Sequence, residues 1–481
     1  MEATNTRSKN LGYYVKSAIG IAIMLLFGYL PAFGAVSPLG MKVIGVYLGL
    51  IFLWSTVDMI WPSFVGLFIL GLNGYSTIGG LISSGWGNAT NVYIALICIF
   101  AYFIIKAGVS DIMVKSIVSR KFAKGKPWLT SYLFLIAAYV VAAIVSLTPA
   151  CLIVWSIFTK YAKELGYKKG DPYPSIIIVG ICLSALMGFS VFPFNPPGSI
   201  LVGMAQEAGF EIPFLGFFIS AFIIGFGSIS LYILIAKYLL RPDVSHHLQD
   251  YQFEKSEKMT KYQKQILFYT ILWVVLLIVQ SAFVATPVGA FLAQFGPVGI
   301  TLAVLALMIF LRSKDGSPFV DFVEATRYGV IWPVFFLLTI AMTLGSAMAD
   351  ETLGIGESLT MVLDPLFNTE GGFIIFILLT TLISVFLTQI MYNHIGAMLM
   401  YSITIFYCIR LGIHPGMLVV VITLCSNASI ILPSANPVAA FMHGMKDWVT
   451  AKEIYKYGIP LALAVGIIST LVWLIGGNIL F

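Results

Sequence analysis

Four points in the chain set a hydrogen-bonding, helix-capping side chain inside an otherwise apolar run: Thr148-Pro149, Asn195-Pro196, Asn393-His394 and Asn436-Pro437. Asn and Thr accept from the free N–H groups at a helix start, and proline suits the first helical position, so each pair reads as the N-terminus of a new helical segment. Backbone that leaves the helix at membrane depth persists only where protein or a wet cavity satisfies it. A helix start carries about half a positive charge, so several converging near mid-bilayer make an anion site that needs no Lys or Arg. Any single pair also reads as an ordinary kink; four at matched positions point to a site. The residues expected to line it are Ser146, Thr148, Asn195, Asn393, His394 and Asn436. His394 stands out, because an imidazole at mid-bilayer is costly when charged and signals function. It either binds a carboxylate, takes up a proton, or stays neutral against backbone in a turn. This chemistry is binding: the sequence has no His-Glu-x-x-His, no paired acids and no nucleophile beside a base, so no enzyme is expected.

The elements that must position these residues are membrane helices. At 59% hydrophobic, 10% charged and mean hydropathy +0.97, the 481 residues cannot form a water-soluble globule. Apolar runs such as 17–33, 91–105, 214–236 and 266–285 can each cross about 30 Å of hydrocarbon, and about eleven crossings fit. The first run has no cleavage site and reads as a retained helix, with no signal peptide. Five cysteines, Cys98, Cys151, Cys182, Cys408 and Cys425, lie in apolar runs without paired spacing, which argues against a metal site or disulfides. Of the 27 Lys and Arg residues, 24 fall in six clusters beside the apolar runs. If all six are cytoplasmic, the N-terminus lies inside the cell membrane and the C-terminus outside, and the +6 charge gives no reason to invoke nucleic acid.

With that orientation, two segments leave the bilayer on the side where they entered. Residues 127–161 form a re-entrant hairpin open to the cytoplasm, broken at Ser146-Leu147-Thr148-Pro149; residues 372–409 form one open to the outside, after the Lys- and Arg-free stretch 349–371. Opposite hairpins in two halves are the mark of an inverted-topology repeat. Gly108 precedes the tip at Ser146 by 38 residues and Gly354 precedes the tip at Tyr392 by the same 38. The tips are displaced by 246 residues and the Asn-Pro pairs by 241. The fold class expected is therefore an all-α polytopic membrane protein of about eleven spans with two re-entrant hairpins in an inverted repeat. Asp58 reads as an interfacial cap, Lys106 as a snorkelling helix end, and His246 and His247 as solvated linker residues.

At the four break points the chain resembles the divalent anion:sodium symporter family, carriers of dicarboxylates, tricarboxylates and sulfate. Phe386-Leu387-Thr388-Gln389 followed by Tyr392-Asn393-His394 is similar to the second hairpin, where Leu-Thr-Glu precedes a Ser-Asn-Thr tip. Leu432-Pro433-Ser434-Ala435-Asn436-Pro437 is similar to Leu-Pro-x-Ala-Thr-Pro-Pro-Asn, Asn195-Pro196-Pro197-Gly198-Ser199-Ile200 to Ser-Pro-Pro-Asn-Ala-Ile, and Trp54 to Pro62 to Trp-x-Thr-Glu-Ala-Ile-Pro. The chain departs at both tips: Ser146-Leu147-Thr148 lacks the asparagine and Tyr392-Asn393-His394 lacks the hydroxyls, while the literal Ser426-Asn427-Ala428 lies ten residues before Asn436, where it lines the broken helix. The resemblance implies a homodimer with an elevator mechanism, scaffold helices at 1–89 and 266–326, and repeats at 90–240 and 327–481 joined by a cytoplasmic linker, 241–265. Broken helices fall at 173–207 and 416–444. It also implies secondary transport of a small di- or tricarboxylate-like anion with cation coupling, with Ser146, Asn195, Thr388 and Asn393 as sodium ligands and no other cofactor. Anion exchange, and proton-linked or uncoupled carriage of a different substrate, stand as alternatives; an intramembrane enzyme or a channel fits less well.

Overall fold

The computed structural model describes residues 2–481 except 124, 194, 196, 249–257, 314–315, 368–370 and 434, so Pro196, Ser434 and the middle of the linker lie outside the described residues. Among the described residues the chain is all-helical, with one isolated β-bridge between Arg312 and Pro318. Nine of these helices are long and apolar enough to cross a membrane. Two more spans arise if each sharply bent pair counts once, Pro287–Ala293 with Gly296–Phe310 (89°) and Phe322–Tyr328 with Trp332–Gly345 (74°). Large apolar side chains such as Phe68, Phe268, Phe310 and Phe386 face outward, while Asn91, Ser175, Thr301 and Thr339 are buried. Apolar outside with polar side chains enclosed suits lipid, where every polar group must be satisfied internally. The chain is a multi-pass membrane protein.

Fourteen helices build two equivalent halves, numbered here without the flanking helices. The first half holds α1 (Ala89–Lys106), α2 (Val109–Val118), α3 (Pro127–Ile144), α4 (Leu147–Glu164), α5 (Pro172–Phe189), α6 (Gly198–Glu207) and α7 (Phe214–Ile235). The second holds α8 (Trp332–Ala349), α9 (Ile355–Phe367), α10 (Gly372–Ile390), α11 (Asn393–Arg410), α12 (Gly416–Ser426), α13 (Pro437–Gly444) and α14 (Ala451–Leu480). Packing is reciprocal, as a two-fold relation requires: α3 lies on α4 and α5 as α10 lies on α11 and α12; α6 reaches across to α11 and α12 as α13 reaches to α4 and α5.

The repeat is also written in the backbone. Left-handed glycines pair at Gly108 (φ 67°) and Gly354 (φ 66°), Gly125 (70°) and Gly371 (85°), Gly166 (86°) and Gly412 (66°), each pair 246 residues apart, the same displacement as the tips. Positive φ is nearly free for glycine and costly for other residues, so each hairpin is framed by the same three turns. Gly354 is doubly constrained, since a Cβ there would lie 1.9 Å from the Ala35 carbonyl oxygen. Both tips are two residues long, Val145-Ser146 and Met391-Tyr392. At the centre, every residue of α12 is buried, as is nearly all of α5. These two half-helices end inside the protein, and the candidate site is built where they end.

Candidate functional site

Helices α5 and α12 stop at equivalent residues, Ser190 and Asn427, which occupy the first position past each helix. The Ser190 hydroxyl donates to the Leu186 carbonyl at 2.7 Å, closing the last turn of α5, and also accepts from Asn427 Nδ2 at 2.6 Å. Asn427 Oδ1 in turn accepts from Asn393 Nδ2 at 2.6 Å, and Asn393 Oδ1 accepts the His394 backbone N–H at 3.0 Å. A continuous relay thus runs from the start of α11 through the end of α12 to the end of α5, joining the second hairpin tip to both helix breaks. Asn393, Asn427 and Ser190 are all buried. Buried and short, such bonds fix the relative position of three elements, because severing one strands a desolvated partner at about 1–3 kcal/mol.

The last turn of α10 clamps the loop that follows α12. Gln389 Nε2 donates to the carbonyls of Val385 (2.8 Å) and Ala428 (2.9 Å), and its Oε1 accepts from Ile431 N–H (3.0 Å). Thr388 donates to the Ser426 carbonyl. One amide and one hydroxyl therefore satisfy the carbonyls and N–H that the break exposes.

The six sequence-derived residues play different parts. Asn436 caps α13, accepting from Ala439 N–H at 2.9 Å, with Pro437 at the first helical position and its Nδ2 donating to Ser429 Oγ at 2.8 Å and to the Ser429 carbonyl. Asn195 does not cap: α6 begins at Gly198, and Asn195 Nδ2 donates to the Phe189 carbonyl at 3.0 Å, tying the loop to the end of α5. Asn393 is the first residue of α11 rather than its cap, and faces the relay. Ser146 precedes α4 in extended conformation without capping it, and Thr148 is half-buried in the first turn; among the described residues no hydrogen bond joins either to the relay. His394, 6% exposed, packs its ring 4.4 Å from that of Tyr392, and its Nε2 has no partner among the described residues. Ser426 Oγ and Ser199 Oγ, buried at the end of α12 and in the first turn of α6, are likewise unpartnered. Ser199 follows the first break, and Ser426 and His394 adjoin the relay residues Asn427 and Asn393; buried polar atoms of this kind are few in native proteins and are groups a ligand would satisfy.

Three other expectations are corrected. Lys106 pairs with Glu324, whose carboxylate also accepts from Tyr102 at 2.8 Å, instead of snorkelling alone. His246 is half-buried, with Nδ1 3.1 Å from the Leu165 carbonyl and its ring 4.6 Å from Tyr167. Ser426-Asn427-Ala428 does more than line the break, since Asn427 is the hub of the relay. Asp58 caps locally, accepting from Ile60 N–H at 2.6 Å. Ser190 is the site residue the sequence reading left out, while Asn427 and Gln389 stood in its motifs without a bonding role; the signal for Asn427 was that Ser-Asn-Ala triplet. Among the described residues no group of three His, Cys, Asp or Glu side chains could hold a metal ion.

The crystal structure of the Alcanivorax borkumensis YdaH transporter, described as having an unusual topology, superposes on this chain with a TM-score of 0.57 at 14% identity, covering 83% of this chain and 88% of that one. At that identity the likeness speaks for the fold alone. No curated protein matches. The sequence matches the family model for citrate transporters, CitMHS, over residues 8–324, a stretch that includes the whole first half with its hairpin and broken helix. That match spans two of the four breaks, Thr148-Pro149 and Asn195-Pro196, and supports the resemblance only as far as a carrier of organic anions; the chain belongs to the citrate transporter family.

Proposed function

We propose that the protein is a secondary active transporter of a small organic anion, citrate or a related di- or tricarboxylate, across the cytoplasmic membrane. The observation that carries this reading is the relay Asn393–Asn427–Ser190, which locks the second hairpin tip to both helix breaks, with His394 Nε2 and Ser426 Oγ on the neighbouring residues, and Ser199 Oγ after the first break, without partners among the described residues. A carboxylate fits this set: the N-terminus of α11 favours negative charge, and imidazole and hydroxyl donors supply direction without a fixed cation. Two hairpins in equivalent halves support alternating access by an elevator motion, in a dimer with the N-terminus cytoplasmic and the C-terminus outside. Sodium coupling rests on oxygens alone. Thr388 and Asn393 on either side of the second tip, Asn195 at the first break and Ser146 at the first tip would supply them together with break carbonyls. A proton-linked carrier is the second reading, favoured by His394, the one imidazole at a tip.

The test is purified protein in proteoliposomes, measuring labelled citrate uptake with an imposed sodium gradient, an imposed proton gradient, or neither. Saturable uptake with counterflow is expected, accelerated by one of the two gradients. Non-saturating flux would indicate a pore, and failure of citrate, succinate and sulfate alike to exchange would sink the proposal. His394→Asn is expected to raise KM for the anion far more than it lowers the maximal rate.

A further inference from the structure

We infer that the groove between the N-terminal end of α3 and the C-terminal end of α7 is a binding site for an anionic phospholipid. The groove is an open trough of about 620 Å³, lined by residues 125–129, Tyr132, Ser230, Ile233, Leu234 and Lys237. Its lining is apolar at Leu129, Ile233 and Leu234, holds a hydrogen bond between Tyr132 Oη and Ser230 Oγ at 2.7 Å, and carries two charged residues, Lys126 and Lys237, both exposed. An apolar trough carrying two ammonium groups matches a phosphodiester headgroup with the first methylenes of its acyl chains. It does not match a free anion, which has no use for the trough. Trp128 adds the amphipathic ring that favours the headgroup level.

The end of α7 carries an independent mark. Residues Ala236–Leu240 are wound as a π-helix, and the turn is closed by Arg241 at φ 44°, the one non-glycine residue with positive φ among those described. A π-turn and a strained closing residue are unfavourable in isolation and recur at functional sites. Here they carry Lys237 in the lining of the groove, with its Nζ lying 4.9 Å over the Tyr238 ring. Both lysines belong to clusters assigned to the cytoplasmic side, where anionic lipid is presented. The occupant is therefore a lipid of the inner leaflet, wedged beside the first hairpin. This site is separate from the relay, and its test does not depend on transport.

The experiment uses the full-length protein in zwitterionic bicelles doped with phosphatidylglycerol, read by native mass spectrometry for retained lipid and by thermal shift. Phosphatidylglycerol should be retained and should stabilise the protein where added phosphatidylcholine, or inorganic phosphate, does not. At about fivefold per lysine near the surface, Lys126→Gln with Lys237→Gln should weaken retention roughly 25-fold. The matched pair Lys452→Gln with Lys456→Gln removes the same charge from another basic cluster and should leave retention unchanged. Because Lys126 and Lys237 are exposed, the variants should fold. If they do not, Leu234→Trp, which fills the trough and keeps both charges, should still abolish retention. Equal retention of both lipids, equal loss in both double variants, or a phosphate response matching the lipid response would each overturn the site.

Discussion

Replacing Asn427 by alanine removes two buried bonds at once, and the geometry sets what each is worth. Asn393 Nδ2 loses its acceptor at 2.6 Å and stays buried as an unsatisfied donor, which costs about 1–3 kcal/mol. Ser190 loses only an incoming donor at 2.6 Å and keeps its own bond to Leu186, so that break is worth about 0.5–1.5 kcal/mol. The sum is about 1.5–4.5 kcal/mol against the state in which the tip is docked on both breaks. Removing both members of a pair is far milder than removing one, so Asn393→Ala combined with Asn427→Ala should cost little more than Asn427→Ala alone. The double-mutant cycle should then show a coupling of about 1–3 kcal/mol. Thermal unfolding in detergent gives the stability arm and citrate counterflow in proteoliposomes gives the functional arm. Ser184→Ala is the control: the residue is equally buried in α5, but its hydroxyl has no partner among the described residues. Strict additivity of the Asn393 and Asn427 effects, or an Asn427→Ala cost no larger than that of Ser184→Ala, would refute the relay.

Gln389→Glu should destabilise more than Gln389→Met, because a carboxylate puts a charged acceptor oxygen against the Val385 and Ala428 carbonyls where the amide nitrogen donates to both; thermal unfolding of the two variants decides it. Gly371→Ala and Gly125→Ala, whose new methyl groups meet open space, should each cost about 1–2 kcal/mol from positive φ alone. Gly354→Ala should cost clearly more in the same assay, since its methyl also strikes the Ala35 carbonyl. Lys106→Met should shift the unfolding temperature little, and less still in high salt, because the Lys106–Glu324 pair is solvent-exposed on both sides.

The parts of the architecture visible in the sequence are those that proline, glycine and charge write locally. Apolar run lengths gave the spans, and the displacement of 246 between Ser146 and Tyr392 turned out to be shared by three pairs of left-handed glycines. Asn436-Pro437 announced a capped helix start because proline at the first helical position has that one comfortable use. Asn195 misled for a related reason. Two prolines follow it, a residue before proline is biased away from the helical region, and the start is displaced to Gly198, leaving the Asn195 amide to close the loop. Helix C-termini inside an apolar run have no comparable signature. Ser190 looks like any small residue, and the Asn427 amide finds its acceptor at the end of α5, 237 positions earlier. Glu324, 218 residues from Lys106, was hidden in the same way. Contacts between elements distant in sequence leave no trace in local spacing.

The geometry also changes the electrostatic argument that the sequence invites. Four helix starts suggest a pocket of positive dipole ends, yet the centre of the fold is where two helices finish, α5 at Ser190 and α12 at Asn427. Helix ends carry partial negative charge, and two of them side by side would repel without neutral donors between them. The Asn427 amide and the Ser190 hydroxyl are those donors. The start of α11, with His394, lies one hydrogen bond away through Asn393. On the proposed reading, an anion drawn to the α11 start and a cation drawn to the carbonyl-rich ends of α5 and α12 would sit on opposite sides of one asparagine pair. Each would screen the dipoles that disfavour the other, and by linkage each would tighten the other's binding by the same factor. Coupling would then follow from where helices stop and start, with no charged side chain needed at the tip.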